Sequence, residues 1–515
     1  MIIALCCYFI TLAFALFFAL SYYTHMFQLE AYLKKQFFKW LNGNFLSLLL
    51  KSAFFVISFF ILLFNRNIIS YAVCSVLNLA EIYLFKPFKA KKPLVYTARV
   101  KRLLATAYLL FAAASALLLI FDILFLLPLI CVFCGYILIL CDIINKPAEK
   151  AVRNRYINEA KNIIKSRKNS LTVIGITGSY GKTSTKYFLE KILSQKYNVL
   201  MTPASYNTTM GVVKTVREML KPSHEIFICE MGARKTGEIK EICDIVLPDH
   251  GIITSIGEQH LETFGSIENI IKTKFELADS VRENGGGYIF LNGDNEYIVN
   301  RSYDGNTVYY RTSENAYYKA ENVKTDRYGT GFTVKCENAE FELSTRLLGS
   351  HNVQNILACV SAADKLGVDK KDIAFAVSRL EAVPHRLQII DAKSTVIIDD
   401  SFNSNPSGAK AALDVLSRFD GARVLVTPGM VELGEAQDEK NTELGEYAYT
   451  RCDYLFVVGE YNKNSIISGA KKAGFDESRI FCVSGPAEAV KQAETLEIGR
   501  IKYVLLENDL PDNFR

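Results

Sequence analysis

The chain has 515 residues, half of them hydrophobic, and a formal net charge of +5. It is too long for one core and too weakly basic to point to nucleic acid. Its 12 cysteines are scattered, six of them before residue 145, so reduced and mostly buried thiols are expected, with no disulfide framework.

Up to about residue 145 the chain is dominated by Leu, Phe, Ile and Ala; afterwards it reads as a soluble α/β protein. Apolar runs of about 18 residues or more can cross a bilayer. They occur at 2–22, 46–64, 68–85, 103–121 and 123–143, which predicts about five spanning helices. The first run lacks a basic lead and a small-residue cleavage site before Tyr22 and Tyr23, so a retained helix is expected in place of a signal peptide. Basic residues crowd the first connection (Lys34, Lys35, Lys39) and the third (Lys86, Lys89, Lys91, Lys92, Arg99, Lys101, Arg102). The second carries only Arg66 and the fourth only Asp122. Because Lys and Arg stay on the cytoplasmic side, this predicts a multi-pass protein of the cell membrane with everything after Lys146 in the cytoplasm. Cys131 and Cys134 have C-x-x-C spacing, but they lie in a spanning run with no second pair, so a metal or redox role is not favoured.

Residues 146–170 are charged and helix-compatible, an amphipathic connector. Strand-like runs at 173–176, 226–230, 251–254 and 288–291 then alternate with helical patterns at 184–195, 211–220, 237–245 and 267–282. Such alternation predicts a mostly parallel sheet covered on both faces. The stretch 307–345, with alternating Tyr, Val and Phe, reads as added antiparallel hairpins. Helices are expected at 352–366 and 371–380. A second α/β alternation begins at 394–399 and runs through 409–418, 423–427, 455–458, 466–473 and 501–506. The expected fold is thus a helical transmembrane region (1–145), the connector, a central α/β domain (171–387) and a smaller Rossmann-like α/β domain (388–515).

The run TGSYGKTST at 177–185 follows an apolar strand and opens a helix. Gly178 and Gly181 let backbone N–H groups turn toward a polyphosphate, Lys182 and the helix start supply positive charge, and Thr183 offers a hydroxyl to Mg²⁺. Gly178, Ser179, Gly181, Lys182, Thr183 and Ser184 are the expected ATP contacts. A strict G-x-x-x-x-G-K-[ST] loop would have glycine where Ile176 stands; the bland alternative is an ordinary turn between strand and helix. Glu230 ends an apolar strand beside this loop, where a Mg²⁺ ligand is needed. His260 also follows a strand and is either a ligand of a second metal or a hydrogen-bonded structural histidine. By spacing alone, Lys274 is a solvated helix lysine.

Taken in order, TGSYGKTST, EMGARKTGEI at 230–239, HLETFGS at 260–266, the 272–277 helix, LGSHNVQN at 348–355, PHR at 384–386, DDSFNSNP at 399–406 and GMVELG at 429–434 resemble the Mur ligase family. The nearest branch is the one that joins D-alanyl-D-alanine to UDP-N-acetylmuramoyl-tripeptide, and the resemblance covers residues 171–515. It implies that Thr183 and Glu230 hold one Mg²⁺ and His260 a second, with Lys274 carbamylated by CO₂ into an anionic ligand. It puts Asn352 and Asn355 by the adenine and Arg386 on the γ-phosphate. Asp400, with Asn403 and Asn405, lies where the last domain closes; these two asparagines, Asn207 and Thr208 are the implied substrate contacts. The implied reaction activates a peptide carboxylate as an acyl phosphate, which an amine then attacks.

Relatives of this kind begin with a soluble domain that grips the UDP end of the substrate, whereas here apolar segments occupy that place. A membrane lipid, or a lipid-linked carboxylate acceptor, therefore becomes an expected partner. Family members also commonly carry glycine at His385, aspartate at Gly429 and alanine at Gln259. A Mur-like ligase for another polymer, such as polyglutamate, and a non-catalytic membrane scaffold that senses nucleotide are the alternatives.

Overall fold

The computed structural model describes residues 1–510 apart from 87–91, 260, 302, 304–305, 314–315, 327–328, 338, 393–394, 403, 432 and 497–498. Contacts divide it into two units, Met1–Asn154 and Arg155–Leu510.

In the first unit Ile2–Leu29 and Ala98–Ile120 are long and apolar enough to cross a membrane. Two further stretches are bent: Phe45–Lys51 meets Ala53–Phe64 at 65° and Leu124–Val132 meets Cys134–Ser166 at 84°. The expectation of five spans becomes two, or four if each bent pair is one span, with Ile68–Leu84 a shorter apolar helix. The first break has a visible cause, since Glu81 in Ile68–Leu84 accepts the Phe54 amide at 3.0 Å and so caps the second half-helix. Cross-links tie the connections to one another in two groups. Arg66 donates to Asp122 O at 2.5 Å, tying the second connection to the fourth. At the other end, Val95 N donates to Gln28 Oε1 at 2.9 Å, and Lys34 and Arg99 share Asp142. The expected connector is no separate element, because one helix runs from Cys134 to Ser166.

The second unit holds two sheets. The first has nine strands: β1 Thr172–Thr177, β2 Val199–Met201, β3 Ile226–Glu230, β4 His250–Ile253, β5 Ile289–Asn292, β6 Thr307–Arg311, β7 Tyr318–Asp326, β8 Gly329–Cys336 and β9 Ala339–Thr345. Their order is β2-β3-β1-β4-β5-β6-β7-β8-β9. β1 sits centrally, parallel to β3 and β4, so the loop after it emerges at the crevice beyond the strand ends. One reading is corrected here: β6 pairs parallel with β5 and with β7, and only β7 to β9 are antiparallel. Alternating Tyr and Val mark a strand but carry no information on its direction.

Separate apolar clusters cover the two faces of this sheet. Phe188, Leu189 and Ile192 of helix Lys182–Leu193 pack with Ile356, Leu357 and Val360 of helix Ser350–Lys365. On the other side lie Val213, Ile242 and Phe275 from helices Thr209–Met219, Glu238–Val246 and Ile267–Glu283. Burial on both faces explains why β3 is apolar along its whole length up to Glu230. The second sheet has order β10-β11-β15-β12-β13-β14, with β10 Gln388–Ala392, β11 Thr395–Asp400, β12 Ala422–Thr427, β13 Tyr454–Val458, β14 Ile480–Val483 and β15 Lys502–Glu507. Only β10 is antiparallel to its neighbour.

Candidate nucleotide and metal site

The loop between β1 and Lys182–Leu193 is held open from behind. Ser179 N donates to Ser255 O at 2.6 Å, its hydroxyl donates to Gly257 O at 3.0 Å, and Thr254 Oγ1 donates to Tyr180 O at 2.5 Å. Gly178, at φ +151°, has room for no Cβ, which would lie 2.1 Å from Thr254 Oγ1. Gly181, at φ +80°, leads directly into the helix, and Asn355 Oδ1 stands 2.4 Å from where its Cβ would be. The glycines are thus required by left-handed backbone and close approach together. Ser184 follows on the first helical turn. Lys182 Nζ donates to Gly178 O and Ser179 O at 2.7 and 2.9 Å. Burial, with Arg386 adding to it, pushes its pKa down to about 8.

At the tip of β3, Glu230 gathers a cluster from three segments. Its Oε1 accepts from Thr183 Oγ1 at 3.1 Å and from Asn207 Nδ2 at 3.0 Å. Its Oε2 faces Lys186 Nζ at 3.0 Å, and both side chains are almost wholly buried, at 0% and 1% exposure. Lys186 also donates to Ala204 O at 2.6 Å. The sequence reading passed over Lys186, although it lies three and four residues after Thr183 and Lys182, on the helix face that they share. Thr208 caps helix Thr209–Met219 through the Gly211 amide. Among the described residues no group of three or more His, Cys, Asp or Glu stands together; the Thr183 hydroxyl and the Glu230 carboxylate, 3.1 Å apart, are hard oxygen donors of the kind Mg²⁺ takes alongside phosphate oxygens.

Lys274 is 3% exposed within Ile267–Glu283, and no carboxylate of the described residues pairs with its ammonium, which lies 5.9 Å from the Phe264 ring. Burial first, then the nearby Lys182 charge, pushes its pKa down to about 7. Lys272, two residues earlier, is exposed. The solvated-lysine reading thus fails for Lys274. His260 and Asn403 lie outside the described residues.

Asn352 and Asn355 open helix Ser350–Lys365 on the loop side: Asn352 Nδ2 donates to Leu348 O at 2.8 Å and Asn355 Oδ1 accepts from Thr185 Oγ1 at 3.4 Å. Just before them His351 has a buried Nδ1 without a hydrogen-bond partner, and burial, reinforced by Arg386, pushes its pKa down to about 4. The guanidinium of Arg386 stacks 4.6 Å from the Phe402 ring and lies within electrostatic reach of Asp400 and Glu230. Burial pushes the Asp400 carboxyl up to about 6 against the pull of Arg386. Asn405 caps helix Pro406–Leu416 by accepting from Gly408 N at 2.9 Å.

Two departures from the family pattern are structurally accommodated. His385 takes the left-handed φ of +62° that glycine would adopt freely, with its Nδ1 2.8 Å from Asp399 Oδ2. Gly429, at φ +77°, has Asn441 Oδ1 2.4 Å from the position of a Cβ, so the amides of Asn441 and Asn462 fill an aspartate's space.

Comparison with known proteins finds family matches over both sheets. The Mur ligase middle domain matches residues 176–363 and the Mur ligase glutamate ligase domain matches 385–506. The UDP-N-acetylmuramoyl-tripeptide–D-alanyl-D-alanine ligase of Bacillus subtilis (strain 168) is 33% identical over 313 residues, covering 60% of this chain and 66% of the relative. That of Escherichia coli (strain K12) is 34% identical over 308 residues, covering 59% and 67%. The chain therefore spans about two thirds of the length of these relatives. Among solved structures, MurF from Acinetobacter baumannii superposes with a TM-score of 0.62 at 25% identity, covering 69% of this chain and 77% of that one. MurF from Thermotoga maritima in complex with ADP gives 0.62 at 26% identity, covering 69% and 80%.

Proposed function

The chain belongs to the Mur ligase family, and from that premise we propose that it is an ATP-dependent ligase joining a peptide carboxylate to an amine. The observation that carries the reading is the Thr183–Glu230–Asn207 cluster at 3.0–3.1 Å beside a glycine loop with an inward lysine. Lys182 and the loop amides hold the β- and γ-phosphates, and Arg386 meets the γ-phosphate from the second sheet's side. Asn352 and Asn355 flank the adenine. Thr183 and Glu230 would hold one Mg²⁺, and His260 with a carbamylated Lys274 would hold another. Bound there, the metal ions spread the charge of the transferring phosphoryl group.

Lys274 fits the carbamate role on its own chemistry. An unprotonated amine is needed for its lone pair to form the N–C bond to CO₂, with one N–H proton released to solvent. A lysine held at about 7 supplies it at neutral pH. Asp400 and Asn405 position the amine, and Asn207 and Thr208 lie on the acceptor side. The acyl phosphate formed by the carboxylate is attacked by the amine, an amide forms and phosphate leaves.

The relatives' names specify UDP-N-acetylmuramoyl-tripeptide and D-alanyl-D-alanine, and this is the first pair to test. Phosphate release should require both substrates together with ATP. ATP turnover indifferent to either would support a nucleotide sensor instead. The apolar helices Ile2–Leu29 and Ala98–Ile120 favour a second reading of the acceptor. They hold the enzyme at a membrane, where a lipid-linked carboxylate is within reach, and faster phosphate release with that acceptor than with the UDP form would support it.

A further inference from the structure

Lys186 is a charged group of the site with no part in the scheme above, and its placement is unusual. It lies on the helix that follows the phosphate loop, has no exposed side-chain surface, and holds two partners from different segments. These are Glu230 Oε2 at 3.0 Å, which ends β3, and Ala204 O at 2.6 Å, in the segment that leads to Asn207. Ala204 itself sits at a left-handed φ of +41°. A buried ammonium is costly unless it is paired and hydrogen-bonded; here the carboxylate that would hold Mg²⁺ supplies the opposite charge and Ala204 O accepts the hydrogen bond, while Glu230 Oε2 itself accepts none.

We propose that Lys186 is an internal counter-ion that keeps Glu230 from taking up a divalent cation until nucleotide is bound. This rests on the reading of Glu230 as a metal ligand. The ammonium neutralises Oε2, and it turns Oε1 toward Thr183 and Asn207. A divalent ion approaching Oε1 alone meets a fixed positive charge about one carboxylate's width away, in a poorly screened site. Polyphosphate on the loop amides adds several negative charges and reverses that balance. Metal would then enter with the nucleotide. The bond to Ala204 O makes the same ammonium a positioning group for the 203–208 segment.

The test is Mn²⁺ binding, read from the free-ion electron paramagnetic resonance signal, with the full chain in detergent. Lys186→Gln keeps a donor for Ala204 O without the charge, and Lys186→Met removes both. Without nucleotide, both variants should bind Mn²⁺ at least about tenfold more tightly than wild type. Equal or weaker binding in folded variants overturns the proposal. If neither variant folds, wild type is compared with Glu230→Gln in the absence of nucleotide. Identical Mn²⁺ titrations are expected, and tighter binding by wild type overturns the idea. A separate titration with a non-hydrolysable ATP analogue isolates the underlying reading. If Glu230→Gln then matches wild type, Glu230 is not a ligand, whatever Lys186 does.

Discussion

Replacing Lys274 by alanine tests the mechanism where the structure is most specific. The side chain is 3% exposed with its pKa pushed down to about 7. At about pH 7.4 roughly 70% of such an amine is unprotonated, against about 0.1% for an ordinary lysine at about 10.4, a gain of nearly three orders of magnitude in the species that reacts with CO₂. Lys274→Ala should lower kcat by at least about 100-fold, the scale at which a single group that stabilises transition-state charge is felt. Acetate at tens of millimolar should restore part of the loss, because a hard divalent cation accepts any well-placed carboxylate. The assay is phosphate release with both substrates present, in buffer depleted of or supplemented with bicarbonate. Wild type should respond to bicarbonate, and its activity should fall as pH drops through about 7, where the amine protonates. The acetate-rescued variant should show neither response. Lys272→Ala should be mild, since Lys272 is exposed and about 160–200° away around the helix. Full activity of Lys274→Ala, or equal damage from Lys272→Ala, refutes the assignment.

Lys182→Ala should abolish nucleotide turnover with an unchanged melting temperature, as seen by circular dichroism, because among the described residues its ammonium bonds to its own loop, at Gly178 O and Ser179 O. Unchanged ligation would remove the site. Glu507, buried and hydrogen-bonded to Ser404 and Thr427, is pushed up to about 7 by its burial. Its native form therefore holds a proton that the unfolded chain releases near 4.5, and stability from this group declines as pH rises through that interval. The urea midpoint difference between about pH 5 and pH 8 should shrink in Glu507→Gln; an unchanged difference refutes the linkage. Reporter fusions after Lys39 and after Lys150 should both report cytoplasm, which requires the shorter helix Ile68–Leu84 to cross along with both bent pairs; opposite sides would overturn that topology, proposed from the charge bias, in favour of two or four crossings.

What the sequence disclosed about the site was whatever is encoded locally. The phosphate loop is legible because glycines, a lysine and a hydroxyl must stand at fixed offsets between a strand and a helix, and the chain order of the motifs carried Glu230 and Lys274 with it. Burial was not legible in the same way. Lys274 and Lys186 both look like solvated helix lysines, and only the packing of their helices against the sheet turns them inward, where one loses its proton readily and the other finds a carboxylate. Strand direction at β6 escaped for a related reason, since side-chain alternation records which face is buried and not which neighbour is paired.

The apolar region shows the limit most sharply. Composition alone gives runs of the right length, yet it cannot say that a run is one straight helix, because hydropathy is blind to the backbone. The break at Ser52 becomes intelligible only with Glu81 in view, a carboxylate from a different helix that accepts the amide of Phe54. Without a partner for that amide, a half-helix beginning inside a bilayer would leave unsatisfied donors, each costing several kcal/mol in hydrocarbon. The buried acid and the bend therefore stabilise each other. Glu81→Leu should remove the cap and favour a continuous helix across Ser52, measurable as slower cysteine labelling at position 54 in a Phe54→Cys background. Labelling that is unaffected by the loss of Glu81 would show that the bend has another cause.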